Sequence, residues 1–519
     1  MKRVISTFWK RSWICSTGSV QRNMSSSTQA KWTKPSKALL CLVFLGVGPV
    51  MADPDTPPRT PQESARIAAA MRLLPGQPNP FESNPGGKGT LHGAAPDRVF
   101  SAPLTGIEPE ARMNFVLGQA MFEKFWVQSP SSTKASDGLG PYYNARSCAM
   151  CHPGNGRGAA PDGDAPLPMT LMLRLSVQGG DTHGIQEYLA TLPDPHLGGQ
   201  LQTDAISGLD PEGAPTVRYQ HIKVELPGET VTLRRPLYDA GAPLSAQTMI
   251  SPRLAPPLHG MGLIDAIRDA DILANADPQD RDGDGISGRA NWGLSRDTGQ
   301  VSLGRYGWKA GNATLREQVA DAFSNDIGIS SPIFEAGWGD CTPTQTACRA
   351  APHGDGDVRG TELDQQGLDL TTLYVGHLAV PARPAAHSAL PGRDLFVDLG
   401  CAACHRPAYV TERRENDPLR GFQMIWPYSD FLLHDMGEGL ADHRPEHRAT
   451  GREWRTPPLW GIGRTKQVLD SEYYLHDGRA RTLTEAILWH AGEAQPARDR
   501  FSLLAPPDRD ALIKFLESL

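Results

Sequence analysis

Cys148-Ala149-Met150-Cys151-His152 and Cys401-Ala402-Ala403-Cys404-His405 repeat one pattern, C-x-x-C-H, at two places in a chain of 519 residues. This is the pattern by which c-type haem is attached. Two thiols reach the two vinyl groups of one porphyrin, and the next residue, a histidine, offers its ring nitrogen to the iron. Two covalently attached haem c groups are therefore the expected cofactors, tethered by Cys148, Cys151, Cys401 and Cys404, with His152 and His405 as axial ligands. The bland alternatives are a dithiol redox pair or half of a zinc site, since C-x-x-C alone is also read as either. Two copies, each followed by histidine, among only eight cysteines argue against both. No second C-x-x-C stands nearby to complete a four-cysteine ribbon.

Export is consistent with haem attachment. Lys31, Lys34 and Lys37 precede an apolar run from Ala38 to Val50, and Val50-Met51-Ala52 ends on small residues before Asp53-Pro54-Asp55. The segment 1–52 reads as a secretory signal cleaved after Ala52, with Met24 as an alternative start. Cys41 lies at the beginning of the apolar run behind two leucines, a poor place for a lipoprotein cysteine. The run is short for a membrane span, so a soluble periplasmic product is favoured over a retained anchor, and no other stretch has membrane length.

A net charge of −7 argues against a nucleic-acid partner and permits docking of a basic electron carrier. The 53 glycines and 45 prolines leave room for few long helices or strands. Cys341 and Cys348 remain beyond the haem tethers, and in an oxidising compartment they are expected to pair. Closing so small a loop is worth roughly 2–3 kcal/mol in the chain-entropy picture.

Gly118-x-x-Met121-Phe122 precedes the first motif and Gly392-x-x-Leu395-Phe396 the second, each placing an apolar helix ahead of its cysteines. Near the C-terminus Leu512, Ile513, Phe515, Leu516 and Leu519 have helical spacing behind Asp508. A leading helix, a C-x-x-C-H turn and a closing helix are the parts of a cytochrome c domain. The expected fold is mainly α: two cytochrome c-like domains with long loops and a small β-hairpin insertion in the N-terminal half. The hairpin is expected over 216–236, where alternating apolar residues turn at Pro227-Gly228-Glu229. The expected layout is a signal at 1–52, a loosely ordered arm at 53–100, an N-terminal haem domain with insertions at 101–380 and a C-terminal cytochrome c domain at 381–519.

Ser129-Pro130-Ser131-Ser132-Thr133, Asp137-Gly138-Leu139-Gly140-Pro141, Asn144-Ala145-Arg146-Ser147-Cys148, Gly304-Arg305-Tyr306-Gly307-Trp308-Lys309 and Tyr474-Leu475-His476-Asp477-Gly478-Arg479 resemble the di-haem oxidoreductase family, some of whose members are labelled thiol oxidoreductases. More distantly the chain is similar to the bacterial di-haem cytochrome c peroxidases and to the tryptophylquinone-forming enzyme of the MauG type. The resemblance implies two cytochrome c-like domains joined around an interface. The label "thiol oxidoreductase" has no residue to justify it here, because the spare cysteine pair reads as structural.

Thr482-Leu483-Thr484-Glu485-Ala486-Ile487-Leu488-Trp489-His490 is similar to the helix on which the peroxidases carry the methionine that closes the second haem. Here the position is His490, which makes a bis-histidine haem of lower potential the first expectation. Met436 is the chief rival, with His434 behind it, and the bland reading of His490 is a helix histidine facing solvent or a carbonyl. For the first haem His259, Met261, Met249, Met169 and Met172 lie at plausible separations, each more simply core or loop. An open sixth position follows, able to take up peroxide. Trp308 is similar to the tryptophan that the peroxidases place between their haems, and its competing reading is packing.

Asp280-Arg281-Asp282-Gly283-Asp284-Gly285-Ile286-Ser287-Gly288 matches the first half of an EF-hand-type calcium loop. Asp280, Asp282, Asp284 and the Ile286 carbonyl are the expected ligands, with Asn291 at the twelfth place where a bidentate glutamate is usual. The alternative is a solvated acidic turn.

Three functions follow from these readings. An enzyme takes electrons from a small redox protein or quinol-linked donor at the C-terminal haem and delivers them past Trp308 to a small oxidant such as peroxide. A carrier relays electrons with both haems six-coordinate. A MauG-type enzyme oxidises a protein side chain. High-spin iron at one haem separates the first from the second.

Overall fold

Gly118, in the helix Pro109–Glu123, sits where a β-carbon would stand 2.1 Å from the Leu370 carbonyl oxygen of the helix Gln365–Gly376. Gly392, in the helix Leu390–Asp398, does the same against the Ala511 carbonyl of the helix Pro506–Glu517, at 1.9 Å. Only a residue without a β-carbon lets two helix backbones come so close. Each C-x-x-C-H motif is thus framed by a leading helix crossed by a closing helix. Phe122 stands 5.2 Å from Tyr374 and 6.4 Å from His152, ring to ring. In the second unit Phe396 stands 5.2 Å from Phe515 and 6.2 Å from His405.

The computed structural model describes residues 58–178, 188–189, 191–354, 360–383, 389–470 and 472–519, and the expected signal at 1–52 lies outside them. Ala52–Leu519 clusters as one unit. Two large apolar cores lie within it. One contains Cys148 and Ala149 and also takes Phe431, Leu432 and Trp460 from the second half. The other contains Cys401 and Ala402 and takes Leu226, Leu233 and Trp308 from the first.

The mainly α expectation is corrected by the structure, which is 29% helix and 17% strand, with 13 α-helices among the described residues and several small sheets, a mixed α/β class. The physical reason lies in the long span between His152 and the first closing helix, where glycine and proline keep helices short and apolar alternation favours strands. Leu171–Val177 pairs antiparallel with Thr248–Leu254. Leu171, Leu173 and Leu175 point inward, while Met172 and Arg174 on the other face line a cavity described below. The hairpin pairs Thr216–Leu226 with Glu229–Asp239 around Pro227-Gly228, where Gly228 has φ +85°. It is fastened to the C-terminal half by the buried Arg234, which donates to the carbonyls of Gly478 and Arg479 at 2.9 Å.

Within the arm expected at 53–100, residues 58–100 carry the helix Pro61–Met71, capped by Thr60, and a buried Glu82. Its carboxylate meets Arg393 at 3.2 Å and accepts the Tyr428 hydroxyl at 2.8 Å. Cys341 and Cys348 are disulfide-bonded. Among the described residues no helix is long and apolar enough to cross a membrane.

Candidate functional site

His152 and His405 are held alike. The Nδ1–H of His152 donates to the Pro256 carbonyl at 2.9 Å and that of His405 to the Tyr428 carbonyl at 3.0 Å. A carbonyl can only accept, so the proton is on Nδ1 and the lone pair is on Nε2, the arrangement used by metal-binding histidines. Burial lowers both imidazoles to about 4, and they stay neutral. Burial also pushes the thiols of Cys148 and Cys401 up to about 12, and raises those of Cys151 and Cys404. Dithiol redox centres and zinc ligands depend on accessible thiolate, and these buried thiols oppose it. Among the described residues no group of cysteines and histidines is placed to bind zinc.

A cavity of about 300 Å³ opens beside the first motif, lined by Cys148, Cys151, His152, Met172, Met261 and Trp308 among others. His259 is not on its wall. It is 1% exposed, stacked on Phe100 at 4.1 Å, with Nε2 on the Trp460 carbonyl at 2.8 Å. Asp326, in the π-turn Phe323–Ile327, also lines the cavity. Burial raises its carboxyl to about 6, and the side-chain amide of Gln200 donates to it at 2.9 Å.

At the second motif, His490 ends the helix Leu483–Trp489 and ties its Nδ1–H to the Ala486 carbonyl at 2.8 Å. Its Nε2 is left as a lone pair, burial lowers its basicity, and its charge in turn lowers that of His405. His434 has no nitrogen to spare. Nε2 meets Asp430 at 2.8 Å and Nδ1 meets Glu493 at 2.7 Å, with the Cys404 sulfur at 3.5 Å. Burial opposes its charge, but Asp430 overcomes burial and holds the imidazolium well above the usual range. Met436 packs at the edge of the second core. The His434 reading as a ligand is therefore corrected to a buried cation clamped by two carboxylates.

Trp308 is buried, with its Nε1–H on the Leu254 carbonyl at 2.8 Å. The sequence reading missed its neighbours His476 and Trp454. The Y-L-H-D-G-R motif was the available signal for His476. Asp280, Asp282 and Asp284 bring their carboxylates within 4.8 Å of one another on the surface, and the Ile286 amide donates to Asp284 at 2.8 Å. Asn291 does not join them. It is 1% exposed, with its amide on the Lys309 and Glu446 carbonyls at 2.7 and 3.0 Å and its oxygen on the Arg448 amide. The three hydrogen bonds hold it inside, which corrects its placement as a calcium ligand.

Residues 82–519 match the sequence profile of the family described as "Di-haem oxidoreductase, putative peroxidase". The chain belongs to the di-haem oxidoreductase family. Membership gives it a haem-based redox role with haem as cofactor, and the residues fit such a group. Each motif offers a neutral imidazole nitrogen, two thiols and an apolar wall, and the first cavity also holds the buried Arg157, whose Nε and Nη1 have no hydrogen-bond partner among the described residues. No curated protein matches the chain. Among solved structures it is similar to the hydrazine synthase of Kuenenia stuttgartiensis studied under xenon pressure, at 17% identity over 50% of this chain and 87% of that one, with a TM-score of 0.20.

Proposed function

We propose that this di-haem oxidoreductase works in the periplasm with two haem c groups. In this reading the thioether tethers are Cys148, Cys151, Cys401 and Cys404, and the axial histidines are His152 and His405. Electrons from a small redox protein or quinol-linked donor enter at the Cys401/Cys404 site and leave at the Cys148/Cys151 site to a small oxidant such as peroxide. The observation that carries this is the unlike surroundings of two like histidines: His152 faces a cavity of about 300 Å³, whereas the His490 imidazole lies near enough to His405 to lower its basicity.

A bound haem supplies an iron that exchanges single electrons and, where one axial face is open, admits a small oxidant. His490, with its Nδ1–H tied to Ala486 and Nε2 unprotonated, closes the second site. Asp326 holds a proton on the wall of the first cavity below about pH 6. Peroxide reduction needs such a donor, since it consumes two electrons and two protons to give two waters. Trp308 stands on the same wall, where electrons arrive from the second site. The periplasmic placement is supported by the signal-like segment 1–52. A calcium ion at Asp280, Asp282, Asp284 and the Ile286 carbonyl is supported by the converging carboxylates, and its affinity is weakened by the inward turn of Asn291.

Stopped-flow mixing of the reduced protein with hydrogen peroxide tests the reading. Oxidation of both sites, with one peroxide consumed per two electrons, supports it. A reduced protein inert to peroxide reduces the function to electron carriage.

A further inference from the structure

Six arginines line the cavity at the first motif, Arg157, Arg174, Arg253, Arg305, Arg444 and Arg455. Four have a carboxylate. Arg174 meets Asp321 at 3.4 Å, Arg253 and Arg444 meet Glu446 at 3.1 and 2.7 Å, and Arg305 pairs with Asp269. Arg157 and Arg455 pair with no carboxylate among the described residues. The Nε and Nη1 of Arg157 are closed off from solvent without a hydrogen-bond partner among the described residues. Its neighbours are ring faces, Trp308 at 5.8 Å and Tyr474 at 5.9 Å from the guanidinium carbon. Arg455 hydrogen-bonds only to carbonyls, donating from Nε to Gly307 at 2.9 Å and from Nη1 to Thr456 at 3.1 Å, and the Asp430 carboxylate acts on it only from beyond ion-pair distance. Burial lowers both guanidiniums to about 10. An uncompensated buried charge is strongly unfavourable, and a planar guanidinium is shaped to take a carboxylate by two parallel hydrogen bonds.

Both residues lie near Trp308. The Arg157 guanidinium lies over its ring, and Arg455 holds the Gly307-Trp308 step, with its guanidinium on the Gly307 carbonyl and its backbone amide on the Trp308 carbonyl at 2.9 Å. Arg157 also follows His152 by five residues and is fixed there because the next residue, Gly158, donates its amide to the Ala255 carbonyl at 2.8 Å. We infer that Arg157 and Arg455 are the anchors for a pair of carboxylates at the Cys148/Cys151 site, namely the two propionates of the first haem. The inference rests on the haem reading given above. Two unmatched guanidiniums answer the two propionates of one porphyrin, whereas a soluble carboxylate substrate would supply the same chemistry from a different source.

The test is a redox titration of the holo protein, monitored by EPR so that the two haems are followed separately, with and without added acetate. The variants are Arg157→Gln, Arg455→Gln and the charge-keeping Arg157→Lys. Loss of a cation beside the porphyrin favours the oxidised iron, so each Gln variant is expected to lower the potential of the first haem and leave the second unchanged. Arg157→Lys is expected to restore most of the shift, and acetate to leave the wild type as it was. First-haem potentials unmoved in both Gln variants overturn the inference. A saturable acetate shift in the wild type that vanishes in Arg157→Gln overturns the propionate source in favour of a soluble anion. Absence of haem from Cys148 and Cys151, read from peptide masses, is failure of the haem reading itself and is distinguished by that measurement.

Discussion

The His476 imidazole lies flat on the Trp454 indole, ring centroids 3.7 Å apart at an interplanar angle of 12°, and stands edge-on to Trp308 at 6.5 Å. Leu254 locks the arrangement, donating its amide to the His476 carbonyl at 2.7 Å and accepting the Trp308 indole at 2.8 Å. Trp454 is the strand partner of His434, whose ring lies 3.5 Å from the Cys404 sulfur. Packed rings therefore run from the wall of the first cavity to Trp454, and the strand pairing of Trp454 with His434 leads on to the second motif. Trp308→Phe and Trp454→Phe are each expected to slow electron passage from the second site to the first, measured by stopped-flow after half-reduction. Rates equal to wild type in both variants would show that the rings only pack.

His490→Ala removes the imidazole that shares a site with His405. The expected outcome is loss of one low-spin ferric EPR signal with the other unchanged. An unaltered spectrum would return the position to Met436.

Gly118→Ala and Gly392→Ala each force a methyl group onto the backbone of a crossing helix, which has no side chain to swing away. Each is expected to cost about 1–3 kcal/mol by overpacking, read from the denaturant midpoint at constant m-value. Gly76, with nothing near its would-be β-carbon, has a positive φ of 67°, so Gly76→Ala reports backbone strain alone and separates the two effects.

Glu212 accepts the Gln202 amide at 2.7 Å and the side chain of Gln345 in the disulfide loop. Burial raises its carboxyl from 4.5 to about 7. The folded chain then keeps a proton that the unfolded chain gives up, so the contribution is complete below about pH 4.5 and is lost as the pH rises through about 7. Thermal unfolding of Glu212→Gln across this range is expected to show a flatter decline with rising pH than the wild type. Parallel curves would assign the decline to other groups.

The two C-x-x-C-H motifs were legible because both repeat the same residue types at the same spacing. The Gly118 and Gly392 repeat was legible for a related reason, since a close helix crossing tolerates only glycine. The hairpin at Thr216–Asp239 declared itself by alternation and its Pro227-Gly228 turn. The share of strand did not, because Leu171–Val177 finds its partner at Thr248–Leu254, far along the chain, and each strand alone is too short to outweigh the helical motifs around it. The helix Gln365–Gly376, which closes the first unit, went unread. At the site, His434 offered the residue type of a ligand, and only its contacts with Asp430 and Glu493 show that both nitrogens are taken. Arg157 and Arg455 were hidden for the opposite reason, since what distinguishes them is that neither forms an ion pair with a carboxylate among the described residues.

The intact mass of the purified protein, read with its absorption spectrum, tests the central claim most directly. Two haem masses added per chain are predicted, falling to one in the Cys148→Ala/Cys151→Ala chain and likewise in the Cys401→Ala/Cys404→Ala chain. A colourless protein of unmodified mass would contradict it.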